Sequence, residues 1–172
     1  INFITPKFRR DHVASELSKL SPKSITTPVD SELIKIGNLE IRLFLDDQEI
    51  VRDSAIGIYD MDLDYTFLNL NDCKVYDRVD ELKNLYSKFD VFTCQFSGAV
   101  FHPVCYDYPK NKYTEISESK VNGKFGSVKN LIDKFEPKLY IPAAGPPVFL
   151  DPNLLSINFQ EVNIFSSPYK FK

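Results

Sequence analysis

Histidine is almost absent from this sequence: His12 and His102 are the only two in 172 residues. That limits any histidine-rich metal site built from this chain alone. Cysteine is nearly as rare, and Cys73, Cys94 and Cys105 form no Cys-x-x-Cys pair. Too few such ligands stand at close spacing for a zinc finger or a cysteine-ligated iron–sulfur centre. An odd, sparse set reads instead as reduced thiols in a cytoplasmic protein. No apolar run approaches the roughly 18 residues that span a bilayer. The stretch Ile1 to Arg10 shows no apolar core ahead of a small-residue cleavage site. Nor is there an excess of positive charge. The 21 Lys and Arg against 24 Asp and Glu give a net charge of -3, which argues against nucleic acid and anionic membranes as partners. No Gly-rich phosphate loop, Gly-x-Ser-x-Gly elbow or His-Glu-x-x-His motif occurs.

What is present is ordinary globular usage, with 43% hydrophobic and 26% charged residues. That excludes disorder as a global description, and the length suits one domain or a large piece of one. The chain opens on Ile1 rather than Met, so the expectation is a processed chain or one cut from something longer.

The periodicity predicts a helix over Phe8 to Leu20, with Val13, Leu17 and Leu20 at helical spacing. Ile25 to Pro28 reads as a short strand. Leu33 to Ile36 and Leu39 to Leu43 read as a hairpin about Gly37-Asn38. Ser54 to Tyr59 and Tyr65 to Leu70 are further strands, and Asp77 to Phe89 is predicted helical. Val91 to Phe96 is an apolar run that suits a buried strand. Ser97 to Tyr113 reads as a long loop rich in aromatics, and such loops often carry function. Ser117 to Phe135 is the clearest helix. Its apolar stripe is Val121, Phe125, Val128, Leu131, Ile132 and Phe135, with Lys120, Lys124 and Lys129 outside it. Leu139 to Pro142 is a short strand, followed by a rigid turn over Ala143-Ala144-Gly145-Pro146-Pro147. The tail from Asn153 is irregular. The pattern as a whole is a mixed α/β sheet covered by helices.

Three stretches hold candidate chemistry. In Leu68-Asn69-Leu70-Asn71-Asp72-Cys73 a strand ends in a polar pair. Strand ends are where α/β proteins place ligands and metals, and the Asp72 carboxylate suits a divalent cation. The plainer reading is that Asn71 and Asp72 cap the turn through side-chain to backbone bonds. Asp53, placed just before the strand Ser54 to Tyr59, can approach the same sheet edge; a surface Asp that starts a strand is the alternative. In Phe96-Ser97-Gly98-Ala99-Val100-Phe101-His102-Pro103, His102 suits a general base or a ligand, against a packed or solvent-facing loop histidine. Tyr106, Asp107 and Tyr108 follow and either line a pocket or pack. His12, at the front of a helix, reads as an exposed position.

Three ordered stretches carry a resemblance. They are Asp53-Ser54-Ala55-Ile56-Gly57-Ile58 leading to Phe67-Leu68-Asn69-Leu70-Asn71-Asp72-Cys73; Phe96-Ser97-Gly98-Ala99 with His102-Pro103 and Tyr106; and Pro137-Lys138-Leu139-Tyr140-Ile141-Pro142-Ala143-Ala144-Gly145-Pro146. Their order resembles the second half of metallo-β-lactamase-fold proteins, nearest the CMP-N-acetylneuraminate hydroxylase-like branch, in which a Rieske domain often precedes the lactamase-like one. The resemblance covers roughly residues 3–152 and implies a domain split of 1–152 with a tail at 153–172. It implies half of a four-layer αββα sandwich, with a mixed sheet covered by helices and a metal site at the sheet edges between the halves. Asp72 matches the aspartate that ends a second-half strand and ligates metal. Asp53 would be a ligand or a partner of one, and His102 and Tyr106 would contact substrate. The implied cofactor is zinc or iron, held only with an N-terminal histidine cluster.

That cluster, His-x-His-x-Asp-His, is not in this chain. Ile50-Val51-Arg52-Asp53 and Ala143-Ala144-Gly145, where further ligands would fall, hold no histidine. No Cys-x-His pair of Rieske type occurs either. Two expectations follow. The chain is part of a metal-dependent hydrolase, or of a hydroxylase-like oxygenase acting on a nucleotide-sugar type of small molecule. Alternatively it is a metal-free, non-catalytic scaffold. A nucleotide-sugar or lipid-related phosphodiester hydrolase is a weaker third reading. A half-sandwich exposes apolar sheet, so the expected partner is the N-terminal half of the same domain or a second copy of the chain.

Overall fold

The computed structural model describes residues 1–10, 12–48, 52–98, 100–145 and 148–171. Ile50 and Val51, Ala99, and the Pro146-Pro147 part of the predicted turn lie outside these residues. Strand β1 (Asn2–Ile4) pairs in parallel with β2 (Ser24–Thr26). Between them α1 (His12–Ser18) is shorter than the predicted helix and buries no residue. Val13, Leu17 and Leu20 make too narrow a stripe to hold a longer one.

The main sheet has six strands. They are β3 (Ile34–Ile36), β4 (Leu39–Asp47), β5 (Arg52–Asp60), β6 (Tyr65–Asn71), β7 (Val91–Gln95) and β8 (Leu139–Ala143), and spatial order follows chain order. β3 to β6 are antiparallel neighbours. The β3–β4 turn needs the left-handed backbone of Gly37 (φ 57°). The central strands outrun their apolar alternation. The β4–β5 ladder continues to Asp46 opposite Asp53 and Asp47 opposite Arg52. Asp53 therefore lies inside a strand, not ahead of one, because backbone pairing holds charged residues in register past the last apolar pair.

Alternation separates two faces. On one, Phe44, Ala55, Leu68 and Leu70 are buried. The chain after β6 covers that face through a 3-10 turn (Tyr76–Arg78) and α2 (Val79–Leu85). The predicted helix stops early because Tyr86 turns extended (ψ 120°) and sets its ring edge-on to Phe44 and Phe89. Arg78 ties the cover down. Its guanidinium meets both Glu81 oxygens and Asp30 at 2.8 Å and lies over the Phe44 ring. On the other face Ile41, Leu45, Ile56, Ile58 and Phe67 are only half-buried.

The chain divides into two compact units, Ile1–Thr93 with Phe135–Tyr140 and Cys94–Lys134 with Ile141–Lys172. The first packs Phe135 against Phe89 and Phe92, at 4.7 and 5.2 Å between ring centroids. The second holds most of α3 (Lys110–Phe135), which starts earlier than predicted, so the loop after β7 ends before Lys110. Within the stripe Val128 and Leu131 are fully buried, and Lys124 reaches Gln95 at 3.2 Å rather than standing free in solvent. Glu136 takes a left-handed backbone (φ 47°) and ends the helix ahead of Pro137. The tail is more ordered than its sequence suggests. Ile157, Ile164 and Phe165 are buried together, with Val104 and Phe149 against them. Among the described residues no helix is long and apolar enough to cross a membrane.

Candidate functional site

The first unit brings Asp53 and Asp72 together. β6 ends at Asn71, whose left-handed backbone (φ 50°) is tolerated by asparagine. The Asn71 amide donates to Asn69 Oδ1 at 2.7 Å, and the Cys73 amide returns to the Leu70 carbonyl at 2.9 Å. This tight turn swings Asp72 off the strand to within hydrogen-bond reach of Asp53. Burial raises Asp53 above the ordinary 3.8. The Ser54 amide, donating at 2.7 Å, opposes the rise, while the Asp72 charge and hydrogen bond, then the Asp46 charge, add to it.

Asp46 is the residue the sequence reading misses. It faces Asp53 across the ladder and is buried, with Oδ1 accepting from Gln48 at 2.8 Å and Oδ2 left without a partner among the described residues. Its signal lay in the hairpin register, which places it on Asp53's face once β4 extends beyond Leu43. Cys73 sits beside these groups. Burial pushes its thiol up to about 12, the charges of Asp53 and Asp46 add to that, and the Asp46 and Ala55 amides oppose it. The thiol stays protonated at neutral pH and is no soft ligand in this state.

The second unit brings His102 and Tyr106 together, with ring centroids 4.9 Å apart. His102 Nε2 lies 3.1 Å from the Tyr108 hydroxyl. Tyr106 stacks on Tyr108 and is exposed. Pro103, after a cis peptide bond, is buried. His12 is exposed at the start of α1.

The carboxylates are hard oxygen donors that suit a divalent cation. The donor set is incomplete. Among the described residues no three His, Cys, Asp or Glu side chains form a group that could hold a metal ion. A centre at this edge needs donors from elsewhere.

No protein-family model matches this sequence. It is 32% identical over 93 residues to a protein of Mycolicibacterium smegmatis named as a Rieske 2Fe-2S iron-sulfur protein, covering 54% of this chain and 18% of that one. It is 31% identical over 108 residues to a protein of Mycobacterium tuberculosis of the same name, covering 63% and 20%. The chain thus spans about a fifth of the length of the curated relatives it matches. Among solved structures it is similar to CmlA, a diiron β-hydroxylase from Streptomyces venezuelae, with a TM-score of 0.53 and 15% identity over 82% of this chain and 30% of that one. It is also similar to the metallo-β-lactamase-fold protein YhfI from Bacillus subtilis, with a TM-score of 0.51 and 13% identity over 93% and 59%. At such identities the likeness establishes the fold: a mixed α/β architecture of metallo-β-lactamase type.

Proposed function

We propose that this chain is the second half of a metal-dependent enzyme domain of metallo-β-lactamase fold, and that Asp72, with Asp53 beside it, supplies carboxylates to a centre completed by histidines elsewhere. The observation that carries this is the Asp53–Asp72 pair. A turn with a left-handed asparagine holds two carboxylates together at the sheet end, at a cost in charge repulsion that a cation would relieve. The matched Rieske-named proteins, of whose length the matched segment is about a fifth, support a larger host for this segment. Their iron–sulfur names, and the likeness to a diiron hydroxylase, support iron chemistry of oxygenase type over zinc hydrolysis; in this reading the substrate is a nucleotide-sugar type of small molecule. In this reading His102 and Tyr106 contact substrate. The N-terminal half of the domain, or else a second copy, covers the half-buried Ile41, Leu45, Ile56, Ile58 and Phe67.

The test is the metal content of the full-length protein. Asp72→Ala is expected to weaken metal binding at least tenfold, since even groups around a metal's ligands are worth about 10–100-fold. Unchanged metal content sinks the assignment. A second reading, a non-catalytic scaffold, is favoured by the absence of a three-ligand group among the described residues. Stoichiometric metal in the full-length protein would exclude it.

A further inference from the structure

At the same hairpin, on the opposite face of the sheet, lies a second polar site. Alternation puts Asp46 and Asp53 on one face and their neighbours Asp47 and Arg52 on the other. Arg9, Arg10, Asp47, Gln48 and Arg52 line a cavity of about 250 Å³ there. Among the described residues three arginines and one aspartate line it, which leaves the lining net positive.

The pairing inside this cavity is incomplete. Asp47 and Arg52 are register partners, the arrangement in which opposite charges normally pair across a ladder. Here Asp47 Oδ2 is taken by Arg9, through its amide at 3.0 Å and its guanidinium Nε at 3.7 Å. Asp47 Oδ1 and Arg52 Nε are both buried, and neither has a hydrogen-bond partner among the described residues. Buried polar atoms without partners are rare in folded proteins, and one on a charged group is costly. Both atoms belong to residues that line the cavity, and a ligand that offers an oxyanion and an O–H would supply the partner each of them lacks.

We infer that Arg9, Arg10 and Arg52 form a docking site for the phosphate group of a small molecule, with Asp47 Oδ1 accepting from a neighbouring hydroxyl. Phosphate fits better than carboxylate because, among the described residues, the lining leaves two positive charges uncompensated. Planar guanidinium forks also match phosphate oxygens in pairs. This site stands apart from the proposed metal edge and does not depend on it, since none of its lining residues is Asp53 or Asp72.

The test is calorimetric titration of the protein with inorganic pyrophosphate in EDTA at low ionic strength. Saturable binding is expected, weakened at least tenfold by Arg52→Ala and by Arg52→Lys, which keeps the charge but loses Nε. Arg10→Ala, at an exposed position, is expected to weaken binding several-fold with an unchanged circular dichroism spectrum. Asp72→Ala is expected to bind like the parent. Three outcomes overturn the inference: no saturable binding, binding indifferent to the Arg52 and Arg10 variants, or acetate competing as well as phosphate at equal ionic strength. Loss of binding in Asp72→Ala would overturn the separateness of the two sites, whereas a failed metal assignment at Asp72 leaves this one intact.

Discussion

The Tyr86 hydroxyl lies where a side chain on Gly57 would have to be. A Cβ built on Gly57 would stand 2.4 Å from that oxygen and 2.8 Å from the ring carbon bearing it. Tyr86 can cross β5 only because position 57 has no side chain. Gly57→Ala must therefore displace a buried ring, and overpacking of this kind costs about 1–3 kcal/mol. For a chain of this length that lowers Tm by about 2–4 °C per kcal/mol. The Tyr86 hydroxyl is buried without a partner among the described residues, and burial pushes its pKa up to about 12. Tyr86→Phe is accordingly expected to leave Tm unchanged or raise it, because it removes an unsatisfied polar group. Combined with Gly57→Ala, the Tyr86→Phe change recovers only part of the loss, since the ring carbons still crowd position 57. Thermal unfolding of the two single variants and the double one checks this; a large loss in Tyr86→Phe alone would contradict it.

Arg78 offers a second test. It joins the cover of the sheet to Asp30, Ser31 and Glu81, and its cation lies 5.4 Å from the Phe44 ring centroid. Hydrogen bonds to charged groups contribute about 1.5–3 kcal/mol, and several end on this one side chain. Arg78→Ala is expected to cost at least about 2 kcal/mol by urea unfolding. Arg78→Lys recovers less than half of that, because a point charge cannot reproduce the fork. Full recovery by lysine would show that charge alone matters here.

Much of the fold was legible in the sequence because it rests on local signals. Gly37-Asn38 between two runs of alternating apolar residues gives the hairpin, and Val128, Leu131 and Phe135 give the α3 stripe. The reach of β4 and β5 was not legible. Asp46, Asp47, Arg52 and Asp53 break the apolar alternation, and only the ladder's own hydrogen bonds keep them in strand. That is also why the sequence singles out Asp53 and Asp72 but not Asp46. The tail was opaque for a similar reason. Its buried residues Ile157, Ile164 and Phe165 follow no period, and side-chain bonds such as Asn163 Nδ2 to the Ile157 carbonyl at 2.7 Å shape it instead.

Asp90 and Lys138 predict acid sensitivity. The Lys138 ammonium, 2.6 Å away, and then the Thr66 amide, at 2.8 Å, hold the buried Asp90 carboxyl below its ordinary 3.8. A depressed carboxylate contributes stability above pH 3.8, and that contribution is lost as pH falls through the lower folded-state pKa. Asp90→Ala also leaves the Thr66 amide unpaired, at a cost of about 1–3 kcal/mol. Its Tm deficit at pH 7 is expected to narrow in acid. A deficit independent of pH would remove the ion pair from the explanation.

Asp53 shifts the other way, so its prediction has the opposite sign. Burial, reinforced by Asp72 and Asp46, raises its pKa in the folded chain above the 3.8 of the unfolded one. The folded state then holds this proton more tightly than the unfolded state does, and ionised Asp53 detracts from stability. The penalty is complete above the folded-state pKa and vanishes as pH falls to about 3.8. Asp53→Asn should therefore raise Tm at pH 7 when no divalent cation is present, and the gain should disappear in acid. Asp72→Asn should give a gain of the same sign by relieving the same repulsion. If the pair serves a cation, metal added to the full-length protein raises the parent's Tm but not that of either variant, which reverses their order. A gain in the Asn variants that survives added metal would mean that the pair is held together for some purpose other than binding a cation.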